Sequence, residues 1–291
     1  MPPLASPAPR LTFEDTVLDA HLSLISEDRP LAYFDFEPLN KLLGGIYPGQ
    51  MTAIGASPGS GKTTLLCQLA DGVASQGHPV LFITEELPTY KLIAKSLVRL
   101  SNGALTLEGI SNERSLDSLA SQVLETAIER YRTSIAPNIC YETVNTVAEI
   151  GSLIGECRSL RGVTPVVFVD YLQLLATKSA TPFSDERLSI TQCVTELRGI
   201  CNAYETPIYV LSSVSREFYG NRTPSLKMFG GASVIEYTFD NALYIHEDRD
   251  GCVANGGKPL LISAIKSRYR ALASTSMTFY GSFATFGEGQ N

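Results

Sequence analysis

Apolar residues along the chain fall into two kinds of run. Short unbroken blocks occur at Met51–Ile54, Pro79–Thr84, Val166–Val169 and Ile208–Leu211, with a lesser one at Ile139–Tyr141. Their length and their branched or aromatic content predict strands buried on both faces, as in a parallel sheet. Between these blocks, apolar residues recur at helical spacing in Lys91–Leu100, Leu116–Arg132, Val147–Leu160 and Leu188–Tyr204. The alternation predicts an α/β fold, a mostly parallel twisted sheet with helices on both faces. Farther on the rhythm changes, and Leu243–His246, Leu260–Ile265 and Thr275–Tyr280 predict strands arranged as C-terminal β-hairpins.

Ahead of the first strand, residues 34–49 read as a short helix closed by Gly44-Gly45 and a Pro48-Gly49 turn. Earlier still, Leu11, Val17, Leu18, Leu22 and Ile25 lie near helical spacing, with Thr12 and Asp15 as capping residues. The expected organisation is an N-terminal arm over residues 1–30, holding a linker helix, and one domain over residues 31–291.

With 44% hydrophobic residues in 291, the chain can build a sizeable core. The proline-rich start lacks the basic-then-apolar order of a leader, and no apolar run approaches the ~18 residues of a membrane span. A soluble, cytoplasmic protein with no membrane partner is expected. Six cysteines are scattered without a Cys-x-x-Cys pair, so reduced core thiols are expected rather than zinc ligands. A net charge of −7 argues against coating nucleic acid with the whole surface, yet leaves room for a local basic channel.

The densest chemistry is Gly55-Ala56-Ser57-Pro58-Gly59-Ser60-Gly61-Lys62-Thr63-Thr64, between a predicted strand and the apolar run Leu65-Leu66-Cys67-Gln68-Leu69-Ala70. A strand turning through a glycine-rich loop into a helix converges backbone N–H groups on a phosphate, and the helix N-terminus adds partial positive charge. Ser57, Pro58, Gly59, Ser60, Gly61, Lys62, Thr63 and Thr64 are therefore the expected nucleotide-binding residues. Lys62 is expected to reach the β- and γ-phosphates and the Thr63 hydroxyl to join a Mg2+ shell. The first position of the usual pattern holds Ala56, with Gly55 one place early.

Asp170 ends the strand Val166–Val169, where a second magnesium contact belongs in a phosphate-loop enzyme. Glu85 and Glu86 follow the strand ending at Thr84 and emerge at the same sheet edge. One of them suits a general base for the attacking water, and a solvated acidic turn is an equal alternative.

From about Phe34 to Phe286 the chain resembles the C-terminal, RecA-like ATPase domain of DnaB-type replicative helicases. The resemblance is carried in order by Gly44-Gly45-x-x-Pro48-Gly49, the phosphate loop, Glu86-Leu87-Pro88 and Asp170-Tyr171-Leu172-Gln173-Leu174. It continues with Leu211-Ser212-Ser213-Val214-Ser215-Arg216, Gly231 to Glu236 with Asp240, and Lys266-Ser267-Arg268. It implies a RecA-like P-loop NTPase that hydrolyses ATP with Mg2+ at the subunit interfaces of a homo-oligomeric, hexameric ring. Glu86 is implied as the catalytic glutamate, while the Glu85-Glu86 pair is more like the related KaiC and RadA ATPases. Lys266 and Arg268 are implied to enter the neighbouring subunit's nucleotide site.

The same resemblance places a single-stranded DNA channel along Ala176 to Arg187 and Glu217 to Gly231. Lys178, Arg187, Arg222 and Lys227 are the candidate phosphate contacts, each equally accounted for as a solvated loop charge. Tyr219 and Phe229 suit base stacking or packing.

Three features depart from the family pattern. Ser213 stands where these helicases carry a glutamine that senses the γ-phosphate. Gly230-Gly231 replaces an Arg-Glu pair, and only about thirty residues precede the ATPase core, so the primase-binding domain is expected to be absent, with the arm helix docking on a neighbour instead. The leading expectation is an ATP-dependent, ring-forming DNA helicase or translocase, with replication proteins as partners. Two alternatives stay open: a KaiC- or RadA-like regulatory ATPase that switches assembly or a protein partner, and a slow ATP-binding accessory protein.

Overall fold

The computed structural model describes residues 18–111, 116–179, 185–215, 218, 224–229, 232–249, 251 and 256–289. Among these residues, nine strands form one sheet. They are β1 (Met51–Ala56), β2 (Val80–Thr84), β3 (Ile139–Glu142), β4 (Val166–Asp170), β5 (Ile208–Ser213), β6 (Asn241–Glu247), β7 (Lys258–Ser267), β8 (Ser274–Tyr280) and β9 (Thr285–Glu288). Their spatial order is β3-β2-β4-β5-β1-β6-β7-β8-β9. The strands from β3 across to β6 pair in parallel, and β6 to β9 pair antiparallel as a C-terminal meander.

The side-chain period of two sorts each central strand between two cores. On one face Ile54, Phe82, Phe168 and Leu211 join a cluster that includes Leu65, Leu66 and Leu69. These leucines belong to α3 (Lys62–Ser75), flanked by α2 (Glu37–Leu43) and α4 (Thr89–Leu100). On the other face Ala53, Ile83, Val169 and Val210 pack on α7 (Val147–Arg161), α8 (Leu172–Ser179), α9 (Glu186–Tyr204) and α10 (Ala232–Thr238). An aromatic ladder crosses the first face: Phe34 meets Tyr209 edge-on at 5.3 Å, Tyr209 stacks on Phe168 at 5.3 Å, and Phe168 stacks on Phe82 at 6.3 Å. Such pairs add about 0.5–1.5 kcal/mol each beyond their buried area.

The remaining helices are α1 (Leu18–Glu27), α5 (Leu107–Ser111) and α6 (Ser118–Arg130), the last extended by a π-helical turn at Tyr131–Ile135. On α1, Leu18, Leu22, Leu24 and Ile25 are exposed. The helices expected from residue 34 onward and the eight expected strands occur close to their predicted bounds, whereas Leu11, Val17 and the expected caps Thr12 and Asp15 of the arm helix lie outside the described residues. Three short helices, α5, α8 and α10, and strand β9 were not anticipated. A loop was expected from Ala176 to Arg187, but α8 runs to Ser179 and α9 begins at Glu186, capped by Asp185. Cys67, Cys193 and Cys201 are buried free thiols, whereas Cys140 is exposed. No helix among the described residues is long and apolar enough to cross a membrane.

Candidate nucleotide-binding site

Parallel pairing brings the carboxyl ends of the central strands to one edge. Thr84 of β2 is in register with Asp170 of β4, and Ala56 of β1 with Ser213 of β5. Ligands of open α/β sheets bind at such an edge. There a cavity of about 500 Å3 is lined by Lys62, Thr63, Glu86, Asp170, Ser213 and Phe279, together with the loop backbone.

Gly59 and Gly61 have φ of +76° and +82°, left-handed values that turn the chain from β1 into α3. The Ser60 hydroxyl donates to the Ser57 carbonyl at 2.7 Å and braces the turn. Its N-cap, Gly61, makes no side-chain capping bond, so among the described residues the first N–H groups of α3 remain available at its positive end. Lys62 Nζ donates to the carbonyls of Ala56 (3.0 Å) and Ser57 (3.2 Å). Burial holds its pKa below the ordinary lysine value, opposed by the charges of Glu86 and Asp170. The early glycine has a packing cause, because a Cβ on Gly55 would stand 2.7 Å from Phe229 Cε1.

Asp170 is 1% exposed, and its Oδ2 has no hydrogen-bond partner among the described residues. Burial pushes its pKa up to about 6, against a bond from Thr63, with the negative Glu86 raising it further and Lys62 and Lys95 lowering it. An orphaned carboxylate oxygen beside a threonine hydroxyl is a hard-oxygen donor set, which suits Mg2+.

Of the acidic pair, only Glu86 lines the cavity, where it is exposed. Glu85 turns away: Oε1 accepts the Val144 N–H at 3.0 Å, and Oε2 is ion-paired with Lys178. This corrects two expectations, since neither Glu85 as a site carboxylate nor Lys178 as a free channel cation fits that pairing. The turn is set by Thr84, whose hydroxyl donates to the Leu87 carbonyl at 2.9 Å.

Lys266 and Arg268 lie away from this cavity. Lys266 Nζ donates to the carbonyls of Glu236 and Phe239 at the end of α10. Arg268 donates to the Tyr237 carbonyl at 3.0 Å and pairs with Asp240 at 3.4 Å. Asp240 is itself buried, accepting from the Met51 N–H (2.8 Å) and Arg198 (2.7 Å). Arg187 is exposed on the first turn of α9 and Lys227 on a 3-10 turn at Leu226–Met228. Arg222, Tyr219 and Gly230-Gly231 lie outside the described residues. Phe229 is 1% exposed, which makes it a packing residue rather than a stacking one.

Sequence reading missed three contributors. Lys95 of α4 reaches the cavity and donates to Thr64 Oγ1 at 3.0 Å; burial lowers its pKa. Gln173 bonds Ser212 and Ser213, and Phe279 forms a cavity wall. Lys95 lies nine positions beyond Glu86, a spacing that carries no motif until α4 folds back over α3.

A family model of the DnaB-like helicase C-terminal domain matches residues 33–288. The chain belongs to that family. The DnaB-like match takes in the whole cavity and leaves α1 outside. Replicative DNA helicase DnaB of Mycoplasma genitalium is 27% identical over 221 residues, covering 74% of this chain and 46% of that protein. DnaB of Pasteurella multocida is 25% identical over 260 residues, covering 86% of this chain and 54% of that protein. The chain thus spans about half the length of these curated relatives. A solved structure of a DnaB-like replicative helicase, described with its interactions with primase, superposes with a TM-score of 0.80 at 18% identity, covering 97% of this chain and 68% of that one. A second solved structure, described as an ATPase domain, gives a TM-score of 0.80 at 19% identity over 96% of this chain and 99% of that one. The mostly parallel sheet with its C-terminal antiparallel strands is therefore the RecA-like fold of DnaB-like domains.

Proposed function

We propose that this chain is an ATP-hydrolysing motor domain that acts on single-stranded DNA within a cytoplasmic ring of like subunits. The observation that supports it best is the orphaned Asp170 Oδ2 beside Thr63, in one cavity with Lys62 and Glu86. In this reading the N–H groups of the loop and the start of α3 hold the triphosphate. Lys62 leaves the Ala56 and Ser57 carbonyls for the phosphate oxygens. Thr63 and Asp170 hold Mg2+, which supplies charge neutralisation on the phosphoryl oxygens. Glu86 orients the attacking water and accepts its proton. Lys266 and Arg268 release the end of α10 and stabilise charge in the neighbour's site, which requires a head-to-tail ring. Exposed Leu22 and Ile25 on α1 suit a contact with the adjacent subunit in the same ring.

A regulatory ATPase is the second reading, supported by Ser213 at the sensor position and by the engagement of Lys178 with Glu85. ATP turnover measured with and without single-stranded DNA separates the two. Strong stimulation at low salt supports the motor, and a rate indifferent to DNA supports the switch. A Glu86→Gln protein that retains the parental rate would remove the mechanism from both.

A further inference from the structure

A second cavity, of about 620 Å3, opens beside the C-terminal half of α3. Its walls come from α3, the ends of α4 and α6, and the turn between β8 and β9. It has no described lining residue in common with the nucleotide cavity, and its volume is that of a small-molecule site.

Asp71 of α3 closes its inner end. The residue is 5% exposed; its Oδ2 is ion-paired with Arg99, and its Oδ1 has no hydrogen-bond partner among the described residues. Burial pushes the Asp71 pKa above the ordinary carboxyl value, opposed by the charge of Arg99 and by Ser96. The neighbouring donors are turned elsewhere. Ser96 Oγ donates to the Leu92 carbonyl at 3.3 Å, Ser75 Oγ to the Gly72 carbonyl at 2.9 Å, and Gln68 Nε2 to the Phe286 carbonyl at 2.9 Å. Arg99 Nη1 is held by the Ala284 carbonyl at 2.7 Å. A buried carboxylate oxygen left in this way calls for a donor on the occupant of the cavity.

Two exposed charges of opposite sign, Asp35 and Arg130, stand at the rim. Asp35 comes close because α3 has a glycine beneath it: a Cβ on Gly72 would lie 3.1 Å from Asp35 Cβ. Leu100, Ile135 and Phe283 supply apolar wall for a carbon stem. The described residues gather no three metal-ligating side chains here, so the donor set does not suit a bare metal ion.

We propose that this cavity binds a small molecule carrying a primary ammonium group, which donates to Asp71 Oδ1 while its carbon stem lies along the apolar wall. An ammonium brings three N–H donors and the charge that complements a carboxylate. Two kinds of molecule carry that group on a stem of suitable length. A diamine sets its second ammonium against Asp35, and an amino acid sets its carboxylate against Arg130. The site is separate from the nucleotide cavity and does not depend on how that cavity is read.

Isothermal titration of the full chain with butylamine, putrescine and γ-aminobutyrate tests this, since the three share one ammonium on a short stem and differ at the other end. Butylamine is expected to bind. Tighter binding of putrescine identifies a diamine site, and tighter binding of γ-aminobutyrate an amino-acid site. Asp71→Asn keeps the shape and removes the charged acceptor, so affinity for all three should fall about tenfold, as for the loss of one hydrogen bond to a charged group. In a diamine site Asp35→Asn weakens putrescine most, and in an amino-acid site Arg130→Gln weakens γ-aminobutyrate most. Absence of binding by every probe at millimolar concentration overturns the site, as does binding indifferent to a folded Asp71→Asn protein. Should that variant fail to fold, the two exposed rim variants carry the test, and binding indifferent to both overturns the site.

Discussion

The backbone N–H of Ser213 donates to Oε1 of Gln173 at 3.0 Å, and Nε2 of the same amide donates to Ser212 Oγ at 3.0 Å. One side chain therefore ties α8 to the last residues of β5, and Ser213 lines the cavity. The last residues of α8, from Ala176, begin the stretch expected to face DNA. Gln173→Ala strands the Ser213 N–H and should cost about 1–3 kcal/mol, the penalty of an unsatisfied, partly buried donor. We expect turnover and its stimulation by single-stranded DNA to fall more than ATP affinity does. Steady-state rates beside equilibrium binding check this, and an unchanged stimulation ratio would show that the amide only braces the strand.

Lys95 adds a second ammonium to the cavity through its 3.0 Å bond to Thr64 Oγ1. Lys95→Met retains the apolar stem and removes the charge. Triphosphate affinity should drop about tenfold, as for the loss of one hydrogen bond to a charged group. Calorimetric titration of Mg-ATP reads the effect directly, and recovery by Lys95→Arg separates charge from packing.

Asp170 imposes a pH dependence on stability. Its folded pKa is raised from 3.8 to about 6, so ionisation is disfavoured in the folded chain. The penalty is absent below about pH 4, grows as pH rises, and is complete above about pH 6 at roughly 3 kcal/mol, from 1.36 kcal/mol per unit. Asp170→Asn should therefore raise the melting temperature at pH 7.5 in the absence of divalent cations, by several degrees, and the gain should vanish near pH 4. The same variant should lose magnesium-dependent ATP binding. A gain that persists unchanged to pH 4 would contradict the assignment of the penalty to this carboxyl group.

If Arg268 acts on a neighbour, two inactive proteins can complement each other. Lys62→Ala spoils a subunit's own loop, and Arg268→Ala spoils the site next door. In an equal mixture of co-assembled subunits, about one interface in four pairs an intact loop with an intact finger, given head-to-tail contacts. ATP turnover near a quarter of the parental rate is expected, read against each variant alone. A mixture as inactive as its components would place Arg268 in its own subunit's chemistry.

The strands were legible because burial on both faces leaves unbroken apolar runs such as Val166–Val169, with a period too short to be hidden. The phosphate loop was legible because its chemistry is contiguous. Helix α10 and strand β9 were not, since Ala232–Thr238 and Thr285–Glu288 are too short to show a period. Glu85 and Glu86 are indistinguishable in sequence. Their separate fates follow from which way each side chain leaves the turn after β2.

The order of residues along this chain was enough to establish the α/β alternation, the glycine-rich turn from β1 into α3 and the acid at the end of β4. Each of these is encoded locally, by periodicity or by neighbouring residues in one loop. Three-dimensional packing settled the rest: Glu86 in the cavity and Glu85 on Lys178, Lys95 against Thr64, Gln173 under Ser213, and Phe279 pressed against Gly61. Those pairings join residues from 31 to more than two hundred positions apart. The geometry of the sheet and its covering helices brings them within reach, and local spacing carries no record of it.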